Sequence, residues 1–287
     1  MWSRTVGVVL AIAAGALSVW PLTVLAQSKP APPKSARLYI FDCGVIKGLG
    51  VELFGFKPGE VPDRDFFVPC YLVVHPRGTL MWDVGVIPDS AFRGYGSPAK
   101  DGRSTVDEPL LPQLAAVGYQ PADITYLALS HYHSDHTANA NAFAGSTWLV
   151  HTAERETMFA DKPAGIIQPA SFSVLKTSKT KMLTDADYDV FGDGTVVIKH
   201  APGHTPGHQV LFLKLRKFGP LLVAGDLYHY PEERTMNRFP TFEFDKEQSA
   251  RSRAAIEAFV HKTKAQMWIE HDAATNAKLK KAPEYYE

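Results

Sequence analysis

Apolar residues along this chain fall mainly in short runs bounded by turn-forming residues, the pattern of strands rather than of long helices. The runs Arg37–Asp42, Cys70–His75, Thr79–Asp83, Ile124–Ser130, Thr147–Val150, Val196–His200, Gln209–Leu215 and Leu221–Ala224 read as strands. Elsewhere the period lengthens. Glu108–Val117 carries Leu110, Leu111, Leu114 and Ala115 at helical spacing, with Pro112 disfavouring a regular first turn. Glu247–Lys264 sets Ala255, Ile256, Phe259 and Val260 on one face, and Gln266–Glu270 then reads as a last strand. Strand meanders with interspersed helices indicate an α/β or α+β fold whose sheets lie buried under helices. The segment 44–67, interrupted by Gly and Pro, holds Val51, Leu53, Phe54, Phe56 and Phe66. It reads either as a long hairpin loop with local packing or as an apolar wall beside a ligand site.

The first residues follow a different rule. One positive charge in Met1-Trp-Ser-Arg4 precedes an uncharged stretch from Thr5 to Gln27, which contains Val24-Leu-Ala26, small or modest residues where a signal peptidase reads. The stretch is long enough to span a bilayer. Pro21 interrupts it and the small-residue site follows, so residues 1–26 are expected to be a cleaved signal peptide rather than an anchor. Residues 27–35 then form a Pro-rich linker with no means of packing, and 36–287 carry the folded domain. The expected location is periplasmic or secreted, without stable membrane insertion after cleavage.

Composition mostly excludes. Hydrophobic residues make up 45% and charged residues 21% of the 287, ordinary for a domain with a substantial core. Thirty basic residues balance thirty acidic ones, which argues against a nucleic-acid partner. Neither a G-x-G-x-x-G turn after a strand nor a G-K-S/T loop is present to support nucleotide binding. Two cysteines, Cys43 and Cys70, make no disulfide framework; a bridge between them and a buried thiol at Cys70 both fit. The oligomeric state leaves no trace in the sequence.

Candidate chemistry centres on Ser130-His-Tyr-His-Ser-Asp-His-Thr137, directly after a predicted strand. His131, His133, Asp135 and His136 would be costly to bury together without a partner. Neutral imidazole and carboxylate are also ligands that zinc accepts. Ala201-Pro-Gly-His-Thr-Pro-Gly-His208 is a tight turn in which Gly203 and Gly207 allow close backbone approach. Of its histidines, His204 follows the first Pro-Gly turn and is the candidate ligand, whereas His208 leads into the next strand and suits a structural role. Asp226 ends the apolar run Val223-Ala-Gly, and His271 ends the last predicted strand, where side chains project into clefts. A site closed by four ligands on one ion would be structural; a set of ligands with room left for solvent favours a hydrolase over a structural zinc protein.

This set resembles the metallo-β-lactamase superfamily. Its H-x-H-x-D-H signature matches His131, His133, Asp135 and His136, and its later histidine, strand-end aspartate and C-terminal histidine match His204, Asp226 and His271. Asp83 matches an early aspartate that supports the metal loop. The resemblance implies a four-layer αββα sandwich holding two zinc ions, one on His131, His133 and His204, the other on Asp135, His136 and His271, with Asp226 between them. Two such ions, about 3.5–4 Å apart, share a hydroxide whose parent water titrates near 7. That hydroxide attacks a carbonyl carbon while a metal steadies the oxyanion, and Asp135 would carry the proton to the leaving group.

Within the superfamily the chain is most similar to N-acyl homoserine lactonases, through Leu38–Asp42, Pro69–Leu72, the His131 motif, Pro202–Gln209 and Gly225–Pro231. The implied substrate is a small molecule, an acyl homoserine lactone. That family places a tyrosine three residues after the bridging aspartate, where this chain has His229 flanked by Tyr228 and Tyr230, so the contact to the lactone carbonyl stays open among the three. Other lactonases or esterases share the machinery. True β-lactamases of this fold generally lack the bridging aspartate, against Asp226 here. Glyoxalase II thioesterases carry a helical domain after the last metal histidine, where this sequence has only the 16 residues 272–287.

Overall fold

Both faces of the long strands are apolar, and that property sets the layering. In a computed structural model, which describes residues 1–2, 29–94, 97–162 and 166–287, two sheets form from the described residues. One runs, in spatial order, β4 (Ala99–Asp101), β5 (Ser104–Val106), β1 (Arg37–Ile46), β2 (Phe66–His75), β3 (Gly78–Trp82), β6 (Tyr126–Ala128), β7 (Thr147–His151) and β8 (Thr180–Leu183). The other runs β13 (Gln266–Trp268), β12 (Gly219–Val223), β11 (Gln209–Leu215), β10 (Val196–His200) and β9 (Tyr188–Asp189).

Strand side chains alternate between faces, and the packing follows that alternation. Leu38 and Ile40 of β1 meet Leu211 and Leu213 of β11 between the sheets, together with Trp82 and Trp268. Tyr39 and Phe41 of β1 face the opposite way and pack under Leu110 and Leu114 of the helix Leu110–Ala116. On the second sheet Val210 and Phe212 face outward onto Ile256 of the helix Lys246–Thr263. Helix, sheet, sheet, helix is the four-layer αββα sandwich expected.

The predicted strands and both predicted helices are present, with ends displaced by a few residues. Strands β4, β5, β8 and β9, at most four residues each, carry too little periodicity to read from sequence. Cys43 and Cys70 are joined in a disulfide between β1 and β2, with Cα atoms 5.9 Å apart. In segment 44–67, Val51, Phe54, Phe56 and Phe66 are buried around Tyr230 while Leu53 is exposed.

The apolar stretch read as a signal peptide lies outside the described residues. Among those described, no helix is long and apolar enough to cross a membrane. The Pro-rich stretch corrects the expectation that it cannot pack. Pro33 is buried, and Lys29 Nζ donates to the Asp123 carbonyl at 3.2 Å. The reason is local: Gly118 has no side chain, and a Cβ there would come within 2.7 Å of the Pro30 ring.

Candidate metal centre

The C-terminal ends of β3, β6, β10, β12 and β13 meet at one edge of the sandwich, and each delivers polar residues to the same place. The loop after β6 brings His131 and His133 and starts the turn Ser134–Thr137 that carries Asp135 and His136. His204 comes from the loop after β10, Asp226 from the turn after β12, and His271 from just beyond β13. Seven residues 140 positions apart at the extremes (131 to 271) thereby form two clusters with a shared member. His131, His133, His204 and Asp226 offer ligand atoms within 4.8 Å of one another, and so do Asp135, His136, Asp226 and His271.

Asp226 divides its carboxylate between the clusters. Its Oδ2 lies 3.5 Å from His131 Nε2 and 3.4 Å from His204 Nε2. Its Oδ1 lies 3.3 Å from His136 Nε2 and 3.0 Å from His271 Nε2. Asp135 Oδ2 completes the second cluster at 3.6 Å from His136 Nε2 and 3.5 Å from His271 Nε2. Burial by itself would raise the Asp226 pKa, but His271, His136, His229 and His131 together hold it well below the usual carboxylate range.

The donor set fits divalent ions. The Nε2 atoms of His131, His136 and His271 and the Oδ1 of Asp226 are buried and have no hydrogen-bond partner, although all four point into the space between the clusters. Unmatched polar atoms in such number are costly unless a cation meets them. Their separations of 3.0–3.6 Å match the edges, roughly 3.3 Å, of a tetrahedron with ligand bonds of about 2.0–2.1 Å.

A second ring of contacts aims the ligands. Asp83 Oδ2 receives His136 Nδ1 at 2.9 Å, which leaves Nε2 for the site, and Asp83 Oδ1 accepts the Ser130 N–H at 2.6 Å. Asp83 adopts φ +52°, a left-handed conformation that aspartate tolerates better than most residues. His271 Nδ1 donates to the Phe67 carbonyl at 2.9 Å. Such outer partners typically carry 10–100-fold in metal affinity. Asp83→Asn is therefore expected to weaken binding of the ion at His136 by about 10–100-fold, read by competition with a chelating dye. Unchanged affinity would show that the Asp83–His136 contact does not tune the site.

His208 is structural, as its place suggested. Its Nδ1 donates to the Ala201 carbonyl at 3.0 Å and its Nε2 accepts the Asp226 N–H at 3.0 Å. That pattern requires a neutral ring, and burial lowers its pKa to about 3.

The sequence did not point to Glu154, a buried carboxylate in the helix Thr152–Met158. It accepts from Tyr132 N–H at 2.7 Å, Gly207 N–H at 2.8 Å and Thr205 Oγ1 at 2.8 Å, pinning both ligand loops together. A Cβ on Gly207 would lie 2.6 Å from the Glu154 Cβ, so the loop passes too close for any other residue. Glu233 likewise serves His229, with Oε1 at 3.4 Å from its Nδ1, and is itself held by Arg253 at 2.7 Å.

Of the three candidates after Asp226, only His229 reaches the site. Its Nε2 lies 3.1 Å from Asp226 Oδ2. Burial lowers its pKa, but the carboxylates of Asp226 and Glu233 outweigh that and hold it at about 9. Tyr228 is a correction. Its hydroxyl donates to Glu257 Oε1 at 3.0 Å under the helix Lys246–Thr263, beside Arg253. Tyr230 packs with Phe54, Phe56 and Phe66. Extended backbone at Tyr228 and Tyr230 turns neighbouring side chains to opposite sides, so His229 faces the ions' place and both tyrosines face away.

Above the clusters opens a cavity of about 260 Å³. Its polar side includes Arg103, His133, Asp135, Asp226, His229 and His271; its apolar side includes Ile46, Leu49, Phe54, Phe66, Ile166 and Phe242. Both readings of segment 44–67 thus hold: it packs locally, and it walls the cavity.

Fold and site together define the class, and comparison agrees. Residues 63–264 match the family model described as the metallo-beta-lactamase superfamily. The chain belongs to that superfamily of metal-dependent hydrolases. It is 32% identical over 260 residues to the N-acyl homoserine lactonase AttM of Azorhizobium caulinodans, covering 88% of this chain and 98% of that one. To the N-acyl homoserine lactonase AiiA of Bacillus thuringiensis subsp. kurstaki it is 28% identical over 223 residues, 75% of this chain and 85% of that one. A solved N-acyl homoserine lactone hydrolase, with the product N-hexanoyl-L-homoserine at its catalytic metal center, superposes with a TM-score of 0.71 at 25% identity. That match covers 87% of this chain and 98% of the other.

Proposed function

We propose that this protein opens the lactone ring of N-acyl homoserine lactones at a dinuclear zinc centre. The observation that carries this is the division of Asp226, one carboxylate oxygen toward each histidine cluster, at the floor of a half-apolar cavity. His131, His133 and His204 would hold one ion, Asp135, His136 and His271 the other, with Asp226 shared. When bound, two such ions lower the pKa of a shared water toward roughly 7 and polarise a carbonyl.

The remaining work falls to the chain. His229, between Asp226 and Glu233, presents Nε2 at the cavity wall, where an N–H suits a lactone carbonyl oxygen. Asp135, also on the wall, is placed to carry a proton to the alcohol released on ring opening. Leu49, Phe54, Phe66 and Phe242 supply the apolar side against which an acyl chain lies and exclude water from it.

Kinetics on a chain-length series test the assignment. Lengthening the acyl chain is expected to lower KM, by up to about 0.8 kcal/mol per fully buried methylene, until the cavity is filled. Inert acyl homoserine lactones alongside rapid turnover of a cephalosporin or S-lactoylglutathione would overturn the substrate.

Export is proposed with it, supported by the Cys43–Cys70 disulfide, since such bonds persist in oxidising compartments. Mature protein from its host is expected to begin near Gln27 by intact mass; a retained Met1 in the membrane fraction would establish an anchor instead.

A further inference from the structure

One charged side chain lines the cavity and has no part in the chemistry above. Arg103 stands in the turn between β4 and β5, exposed at the rim. Its place is fixed at both ends. Ser104 pairs with Ile46 across β5 and β1, and the Arg103 carbonyl accepts the Lys47 N–H at 3.1 Å. At the far end, guanidinium Nη1 donates to the Gly48 carbonyl, next to Leu49 of the apolar side.

The guanidinium is otherwise unmatched. Arg64, Arg234, Arg238 and Arg253 each pair with a glutamate. Among the described residues no carboxylate pairs with Arg103, and its Nε and Nη2 donate to no protein atom. A cation seated on a largely apolar wall, with two N–H groups pointing the same way, calls for oxygens on the ligand.

We propose, on the reading that the cavity binds acyl homoserine lactones, that Arg103 sets specificity among them by favouring an acyl chain with a ketone at its third carbon, the amide carbonyl being the first. The cavity, about 260 Å³, is small beside the roughly 300–1,000 Å³ usual for ligand sites. With the lactone ring at the ions, it has room for the amide and the first carbons of the chain, and that stretch lies within reach of Arg103. A plain hydrocarbon there offers the guanidinium nothing and strips part of its hydration. A ketone at the third carbon sets a second oxygen one methylene away from the amide oxygen. The arginine fork, with its parallel N–H groups, matches paired oxygens in a way that the point charge of a lysine does not.

The test compares N-hexanoyl homoserine lactone with its analogue carrying the ketone, on zinc-loaded wild type, Arg103→Met and Arg103→Lys. Wild type is expected to favour the ketone by about tenfold in kcat/KM, through KM, the low end for a hydrogen bond to a charged group because the site is exposed. Arg103→Met should bring the ratio of the two substrates close to one, and Arg103→Lys, which keeps the charge without the fork, should lose most of the preference. The intrinsic reactivity of the two lactones is the same for every variant, so a change in their ratio isolates the contact. Bound zinc and melting temperature at the wild-type values show that the variants are folded. A wild-type ratio near one, with both lactones turned over, overturns the role of Arg103 and leaves the lactonase reading standing. So does a preference that survives in Arg103→Met, or an equal loss on both substrates, which would place Arg103 on the part they share. If neither lactone turns over, the lactonase reading falls and the inference with it.

Discussion

Asp226→Ala is expected to reduce bound metal from two ions to one or fewer and to slow lactone opening by at least about 10³-fold, beyond the loss typical of one oxyanion donor or one outer contact. Asp226 is the single carboxylate that touches both clusters, with five imidazoles within 3.5 Å of its oxygens. Its removal leaves Asp135 as the one carboxylate in the two clusters, too little negative charge to hold two ions close together. Asp226→Asn keeps the shape and removes the charge, so a matching loss in that variant ties the effect to electrostatics rather than to a cavity. Metal analysis with steady-state kinetics decides it. A variant that keeps two ions and stays within tenfold of wild type would remove Asp226 from the centre.

The second large effect falls on His229. His229→Ala should lower kcat/KM by about 10²–10³-fold, the usual range for one donor to a developing oxyanion, while both ions stay bound. Its backbone N–H donates to Glu233 Oε1 at 3.2 Å, its Nδ1 lies 3.4 Å from the same oxygen, and its ring lies against Phe54, with centres 4.9 Å apart, so the ring faces the cavity. Tyr228→Phe is the control, since that hydroxyl is turned to Glu257, and it should leave kcat/KM within a few-fold of wild type. Loss of an ion in His229→Ala would make His229 a ligand instead. A large rate loss in Tyr228→Phe would restore the tyrosine.

These two residues also mark how far the sequence reaches. His131, His133, Asp135 and His136 could be read because ligands crowded within one loop have few other uses. His204, Asp226 and His271 could be read because each ends an apolar run, and a strand end at the sheet edge is where a side chain meets a cleft. Choosing among Tyr228, His229 and Tyr230 depended on which way three consecutive side chains turn, and that is set by the helix Lys246–Thr263 drawing Tyr228 toward Glu257 and Arg253. No local pattern encodes it.

Glu154 shows the same limit from another side. In sequence it is one more charged residue of the surface-like Thr152–Met158 stretch, and only the fold brings Tyr132, Thr205 and Gly207 onto its carboxylate. The disulfide was open for a related reason: Cys43 and Cys70 lie on adjacent strands, and the irregular pairing between Asp42 and Val45 sets where Cys43 faces. The layers themselves were more accessible, because strands apolar on both faces require cover on both sides.

The central claim is that the seven residues around Asp226 bind two metal ions and that lactone opening depends on both. Titrating metal-stripped protein with zinc while following hydrolysis of an N-acyl homoserine lactone tests it most directly. The account predicts no turnover without metal and an activity that rises to a break at two equivalents per chain. Turnover by the stripped protein, or inactivity at two bound equivalents, would contradict it.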